Sequence, residues 1–128
     1  PTIGGMIPAP HGAVCPALLP HSMTANLRAL RERARPNDSA ASAAAATLER
    51  YRIVAVTFTG DPDATPEAGI AAVSSLCADL RIPGLSAYGI DGSHATDLAR
   101  KALNSSSMKA NPIALNEAQM RDVLIASL

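Results

Sequence analysis

The sequence predicts an all-α fold, a bundle of five or six helices, on three observations. Apolar residues recur at three- and four-residue spacing through most of the chain. The stretches between them carry the polar caps, prolines and glycines that start and stop helices. One segment, Arg52 to Thr59, alternates in the manner of a strand, yet it continues an alanine-rich run without a break.

Ile3-Gly4-Gly5-Met6-Ile7-Pro8-Ala9-Pro10 is too rich in glycine and proline for regular structure and reads as a turn leading into a helix. From Gly12 to about Ala34 the pattern is helical, with Leu18, Leu19, Met23, Leu27 and Leu30 on one stripe. Pro16 suits a first turn, where its missing N–H is not needed, and Pro20 is expected to bend the helix. Arg28, Arg31, Arg33 and Arg35 read as a solvated face. Pro36-Asn37-Asp38-Ser39 stops this element and can cap the next.

The run Ala40 to Ala46 has high helix propensity, and Leu48, Tyr51, Ala55 and Phe58 follow at helical spacing. The β-branched residues of Arg52 to Thr59 favour a strand; the uninterrupted lead-in favours helix, which is the expectation adopted. Gly60-Asp61-Pro62-Asp63 is a break. Thr65-Pro66-Glu67 starts a helix with a capping hydroxyl, a proline at the first position and a carboxylate near the positive end of the dipole. Ile70, Val73, Leu76, Cys77 and Leu80 form its expected buried stripe, and Pro83-Gly84 ends it.

Leu85 to Gly89 reads as a short connector. Asp91 or Ser93 caps a helix that carries Leu98, Ala102 and Leu103 inward and ends at Ser105-Ser106-Ser107. The last helix has Asn116 as cap, Gln119 placed for a capping box, and Leu115 placed to staple onto Met120. Met120, Val123, Leu124 and Leu128 should face the core.

A chain of 128 residues suggests one domain over residues 1–128, able to bury roughly two-thirds of the surface its unfolded form exposes. Eleven basic and 11 acidic residues cancel, so charge gives no reason to expect a nucleic acid or an anionic membrane. Tyr51, Phe58 and Tyr88 are the only aromatics, which leaves few platforms for stacking bases. Cys15 and Cys77 form neither a disulfide framework nor a Cys-x-x-Cys, and buried reduced thiols are the expectation. No apolar run approaches the roughly 20 residues of a membrane span, and no signal peptide is recognisable. A cytoplasmic protein is expected. Its beginning at Pro1 suggests a processed product or a piece of something longer.

Chemistry is sparse. His11 and His21 are ten residues apart, about 80° out of alignment on a helix, and His94 sits at another helix start. No Asp or Glu lies at a spacing that completes a metal site with the first two. No Gly-x-Gly-x-x-Gly, P-loop or Gly-x-Ser-x-Gly occurs. By spacing alone a surface or capping role is expected for a lone histidine.

Ordered stretches nevertheless carry a resemblance. Ile3-Gly4-Gly5-Met6 through Pro10-His11-Gly12, then Leu18-Leu19-Pro20-His21-Ser22-Met23 and Asn26, are similar to the opening of the C-terminal helical domain of the iron-containing (group III) alcohol dehydrogenases. Thr59-Gly60-Asp61-Pro62 resembles a turn in some members, and Ile82-Pro83-Gly84-Leu85-Ser86-Ala87-Tyr88-Gly89-Ile90 a late connector. Ser105-Ser106-Ser107-Met108-Lys109-Ala110-Asn111-Pro112-Ile113-Ala114-Leu115 resembles the run before the last helix. A dehydroquinate-synthase-like protein or a polyol dehydrogenase fits this run less well.

The resemblance implies a helical domain partnered by an N-terminal nucleotide-binding domain absent from this chain. It implies Fe(II) or Zn(II), held by one Asp and three His, and NAD(P) as hydride acceptor in the parent enzyme. His11 alone maps onto a metal ligand, and His21 does not. The remaining ligands and the nucleotide-binding glycines would lie upstream of Pro1. The isolated chain is therefore expected to bind no cofactor, to be inactive, and to self-associate through an apolar face around His11, Met6 and Ile7. The alternative is a free-standing, non-catalytic helical interaction module.

Overall fold

The computed structural model describes residues 9–36 and 40–128. The described residues form five α-helices and three short 3-10 turns joined by irregular connections, with no strand among them. The helices are α1 (His11–Arg33), α2 (Ala41–Thr59), α3 (Pro66–Asp79), α4 (Ala95–Leu103) and α5 (Glu117–Ala126). The all-α expectation holds, including helix rather than strand across Arg52 to Thr59.

α1 is the axis of the bundle. It packs against α2 and α3 on one side and against α5 on the other, and α4 packs on α5. Pro16 and Pro20 both lie inside α1, which runs through them without interruption. Pro20 has no N–H, so the Pro16 carbonyl loses its helical partner. The Cys77 thiol of α3 donates to that carbonyl at 3.6 Å and takes the missing place.

Several local signals act as expected. The Thr65 hydroxyl accepts from the Ala68 amide at 3.3 Å, and Pro66 opens α3. Asn116 and Gln119 form the reciprocal capping box of α5, at 2.8 and 2.9 Å. Leu115 and Met120 are both buried in the same core cluster, as a staple requires. Asp91 is the cap ahead of α4, accepting from the Ser93 amide at 2.8 Å across a 3-10 turn, Gly92–His94. α2 ends at Gly60, whose φ of 72° lets its amide close on the Val56 carbonyl. α3 ends differently: Arg81 takes the left-handed conformation at φ 52°, before Pro83-Gly84 is reached. The expected cap in Asn37-Asp38-Ser39 lies outside the described residues.

The main core joins α1 to α4, α5 and the connector. Leu85 is fully buried, with Leu98, Leu124 and Met120 around it. The connector is fastened by the Leu85 amide donating to the Ser127 carbonyl at 2.8 Å and the Ser86 hydroxyl to the Leu128 carbonyl at 2.7 Å. Gly84 is required there, since a Cβ would stand 2.4 Å from the Leu128 carbonyl oxygen.

Two burial expectations are corrected. Leu76 and Leu80, placed on the buried stripe of α3, are 46 and 64 % exposed, and Phe58 of α2 is 51 % exposed. The reason is the closeness of α2 and α3: Gly69 faces Ala55 so nearly that a Cβ would lie 2.7 Å from the Ala55 Cα. Small residues and Val73 fill that seam, and the large side chains are left on its flanks. The thiols are not both buried either. Cys15 is exposed one turn into α1, and Cys77 is half-buried between helices.

Candidate functional site

Pro10 caps α1 in an extended conformation, and His11 is its first residue. The Ala13 and Val14 amides donate to the Pro10 carbonyl at 2.9 and 3.1 Å, which seats the first turn. His11 is exposed, and its ring lies over Cys15 one turn on, with Nε2 3.3 Å from Sγ. The i and i+4 positions share a helix face, so an imidazole and a thiol stand side by side.

His11 and Cys15 mark the rim of a cleft of about 200 Å³ between α1, α4, α5 and the segment before α5. Leu98, Met120, Val123 and Leu124 form its buried floor. Ser105 and Ser107 belong to the rim, where their hydroxyls bond each other at 2.7 Å.

The donor set decides how far these residues suit a metal. Among the described residues, no three His, Cys, Asp or Glu side chains converge. A closed site takes four donors, or three and a water. One imidazole fits a single coordination position, and the neighbouring thiol is the nearest second donor. The amino end of a helix also carries partial positive charge, which disfavours a cation unless an anionic donor offsets it. His11 thus offers one coordination position, and the described residues alone do not close a metal site around it.

The other histidines part company with His11. His94 Nδ1 accepts from the Asp91 amide at 3.2 Å, a capping role. The carboxyl of Asp91 is held below its ordinary pKa chiefly by the Ser93 hydroxyl and amide. His21 is half-buried on α1, in a different groove from His11. Met6 and Ile7, expected on an apolar face beside His11, lie outside the described residues. Elsewhere, exposed Leu19, Val54 and Phe58 line one groove between α1 and α2.

Spacing could not reveal the polar lock that holds the cleft wall. Asn26 is 4 % exposed. Its amide donates to the Asn111 side-chain oxygen at 3.1 Å and accepts from the Asn111 amide at 2.8 Å. The Asn111 amide also donates to the Ile113 carbonyl at 2.6 Å, and the Asn26 amide to the Tyr51 hydroxyl at 3.3 Å. Asn26 and the Asn111-Pro112 run, two pieces of the motif that carried the resemblance, therefore bond to each other. Their role is to pin the Ser106–Ala110 turn against α1 beneath the rim.

Comparison with curated proteins and with solved structures gave no match. A match to a family model covers residues 1–128, under the description Fe-containing alcohol dehydrogenase family, C-terminal, so the chain that builds this rim and cleft belongs to that family.

Proposed function

We propose that this domain supplies one wall and one metal ligand, His11, to a NAD(P)-linked alcohol dehydrogenase. The family match supports the class of enzyme, and the observation that carries the site is His11 at the rim of an apolar cleft without enough neighbours to close a metal site. Fe(II) or Zn(II), when bound, supplies Lewis-acid polarisation of the alcohol oxygen. The chain's own residues do the rest of their share. His11 offers an imidazole from the first turn of α1, the Asn26–Asn111 lock fixes the opposite wall, and the floor is apolar. The nucleotide site and the remaining ligands come from a second domain, whether in the same polypeptide or another.

Two measurements test this. Residues 1–128 alone, given Fe(II) or Zn(II) and NAD(P), should oxidise no alcohol above a blank; turnover would defeat the proposal. Joined to the nucleotide-binding half of an iron-containing alcohol dehydrogenase, they should gain activity that His11→Ala lowers at least about 100-fold.

The exposed groove of Leu19, Val54 and Phe58 favours a second reading, a helical interaction module without catalysis. The module reading expects self-association of the isolated chain to be weakened by Phe58→Ser in light scattering, whereas the enzyme reading places it at the face around His11. The joined protein discriminates them, because the module reading requires it to stay inactive.

A further inference from the structure

His11 and Cys15 bring an imidazole and a thiol into contact on the exposed first turns of α1. The family description names iron, so a divalent cation at His11 has support from outside the pair. Cys15 Sγ stands 3.3 Å from Nε2 and 3.6 Å from Nδ1 of the His11 ring. A tetrahedral zinc with nitrogen at about 2.0–2.1 Å and sulfur at about 2.3 Å sets those two donors about 3.6 Å apart. The observed separation is close to that value, and i and i+4 is the spacing at which one helix face presents two ligands.

Charge points to the thiol as well. The amino end of α1 disfavours a cation unless an anionic ligand offsets it. Among the described residues that line the cleft, none is Asp or Glu. Cys15 is the one of them that becomes an anion, its proton passing to solvent as a metal binds. It is exposed, so a cation reaches it without any opening of the fold. Cys77 is placed otherwise, half-buried with its thiol on the Pro16 carbonyl.

We propose that the Cys15 thiolate is a second ligand beside His11, so that the first turns of α1 chelate a cation of the Zn(II) class, which suits imidazole and thiolate together. The remaining positions fall to water or to the second domain. The role of His11 rests on the function proposed above; the role of Cys15 does not follow from it and can fail alone.

The test is anaerobic titration of the 128-residue chain with Co(II), a spectroscopic stand-in for Zn(II). A thiolate-to-cobalt charge-transfer band should grow in the near ultraviolet and saturate. Cys15→Ala and His11→Ala, with helical circular dichroism unchanged, should each lose it, and Cys77→Ala should keep it. Zn(II) should displace Co(II), with an affinity at least about tenfold weaker in Cys15→Ser, no less than the loss of a ligand's outer partner causes. Alkylation by iodoacetamide, read by mass spectrometry, needs no variant. Zn(II) should slow the reaction at Cys15 and leave that at Cys77 unchanged, while Mg(II), which takes oxygen ligands, should protect neither. The proposal is overturned by absence of the band, by a band that survives either the Cys15 or the His11 change, by equal protection of both thiols, or by protection with Mg(II). Co(II) or Zn(II) affinity lost in His11→Ala but kept in Cys15→Ala would strike Cys15 and leave the function proposed above standing. The band in a joined protein that oxidises no alcohol would do the reverse.

Discussion

The two helix pairs flanking α1 are held by opposite means. α4, α5 and the connector bury large side chains, with Leu85 inaccessible and Leu98 and Leu124 each 3 % exposed. In α2 and α3 the buried positions are Ala44, Ala55, Gly69 and Val73, while Ile53, Phe58, Leu76 and Leu80 remain in contact with solvent. Backbones approach closely when the facing residues are small, but larger neighbours then overhang the seam without reaching across it. The more apolar pair, α2 and α3, thus carries the exposed apolar surface, and the less apolar pair builds the core. The cleft behind His11 lies on the core side.

The strongest way to break this contrast is a pair of truncations. Leu85→Ala should destabilise the fold by about 2–5 kcal/mol, and Phe58→Ala should stay within about 0.5 kcal/mol. Urea unfolding of both variants decides it, and equal losses would erase the distinction. Gly69→Ala tests the seam: overpacking against Ala55 should cost about 1–3 kcal/mol, more than the gain in helix propensity of up to about 1 kcal/mol. The same change at Gly12 meets nothing within 4 Å. There it should be neutral or raise the melting temperature.

The polar lock sharpens the picture from the other direction. Asn111→Ala leaves buried Asn26 without its main partner and should cost about 1–3 kcal/mol. Tyr51→Phe removes a single longer bond and should cost less, so reversed magnitudes in thermal unfolding would count against the lock. The smallest effect is expected at the Arg31–Glu67 ion pair joining α1 to α3, whose side chains are 51 and 50 % exposed. The Arg31 hydrogen bond, ahead of weaker backbone and charge effects and against desolvation, holds the Glu67 carboxyl below its ordinary pKa. A depressed carboxylate stabilises above its unfolded pKa, about 4.3, and loses that contribution as pH falls through the folded value. Glu67→Gln should therefore cost at most about 1 kcal/mol at pH 7 and nothing in acid, read from melting temperatures across that range.

How much was legible follows from the reach of each signal. The caps at Thr65 and Asn116 act within three residues, and they could be read directly. Helix over Arg52 to Thr59 was legible through the run before it, against β propensity. Leu85 was readable only as part of a connector, because nothing local marks it as the most deeply buried large side chain. His11 stood out through the motif that carried the family resemblance; its neighbour Cys15 was expected to be buried and instead shares the rim. The cleft left no trace in the sequence, since its walls come from four separate elements.

By itself the sequence determined that this protein would be helical, where most helices would begin, and to which family it belongs, because those properties lie in backbone bonds and in ordered motifs along one chain. Tertiary structure alone decided which apolar stripe found a partner, that Asn26 would meet Asn111 across 85 residues, and that Cys77 would cover a carbonyl freed by Pro20. Burial and long-range hydrogen bonds depend on what another element brings to the same place, and spacing within one helix carries no record of that.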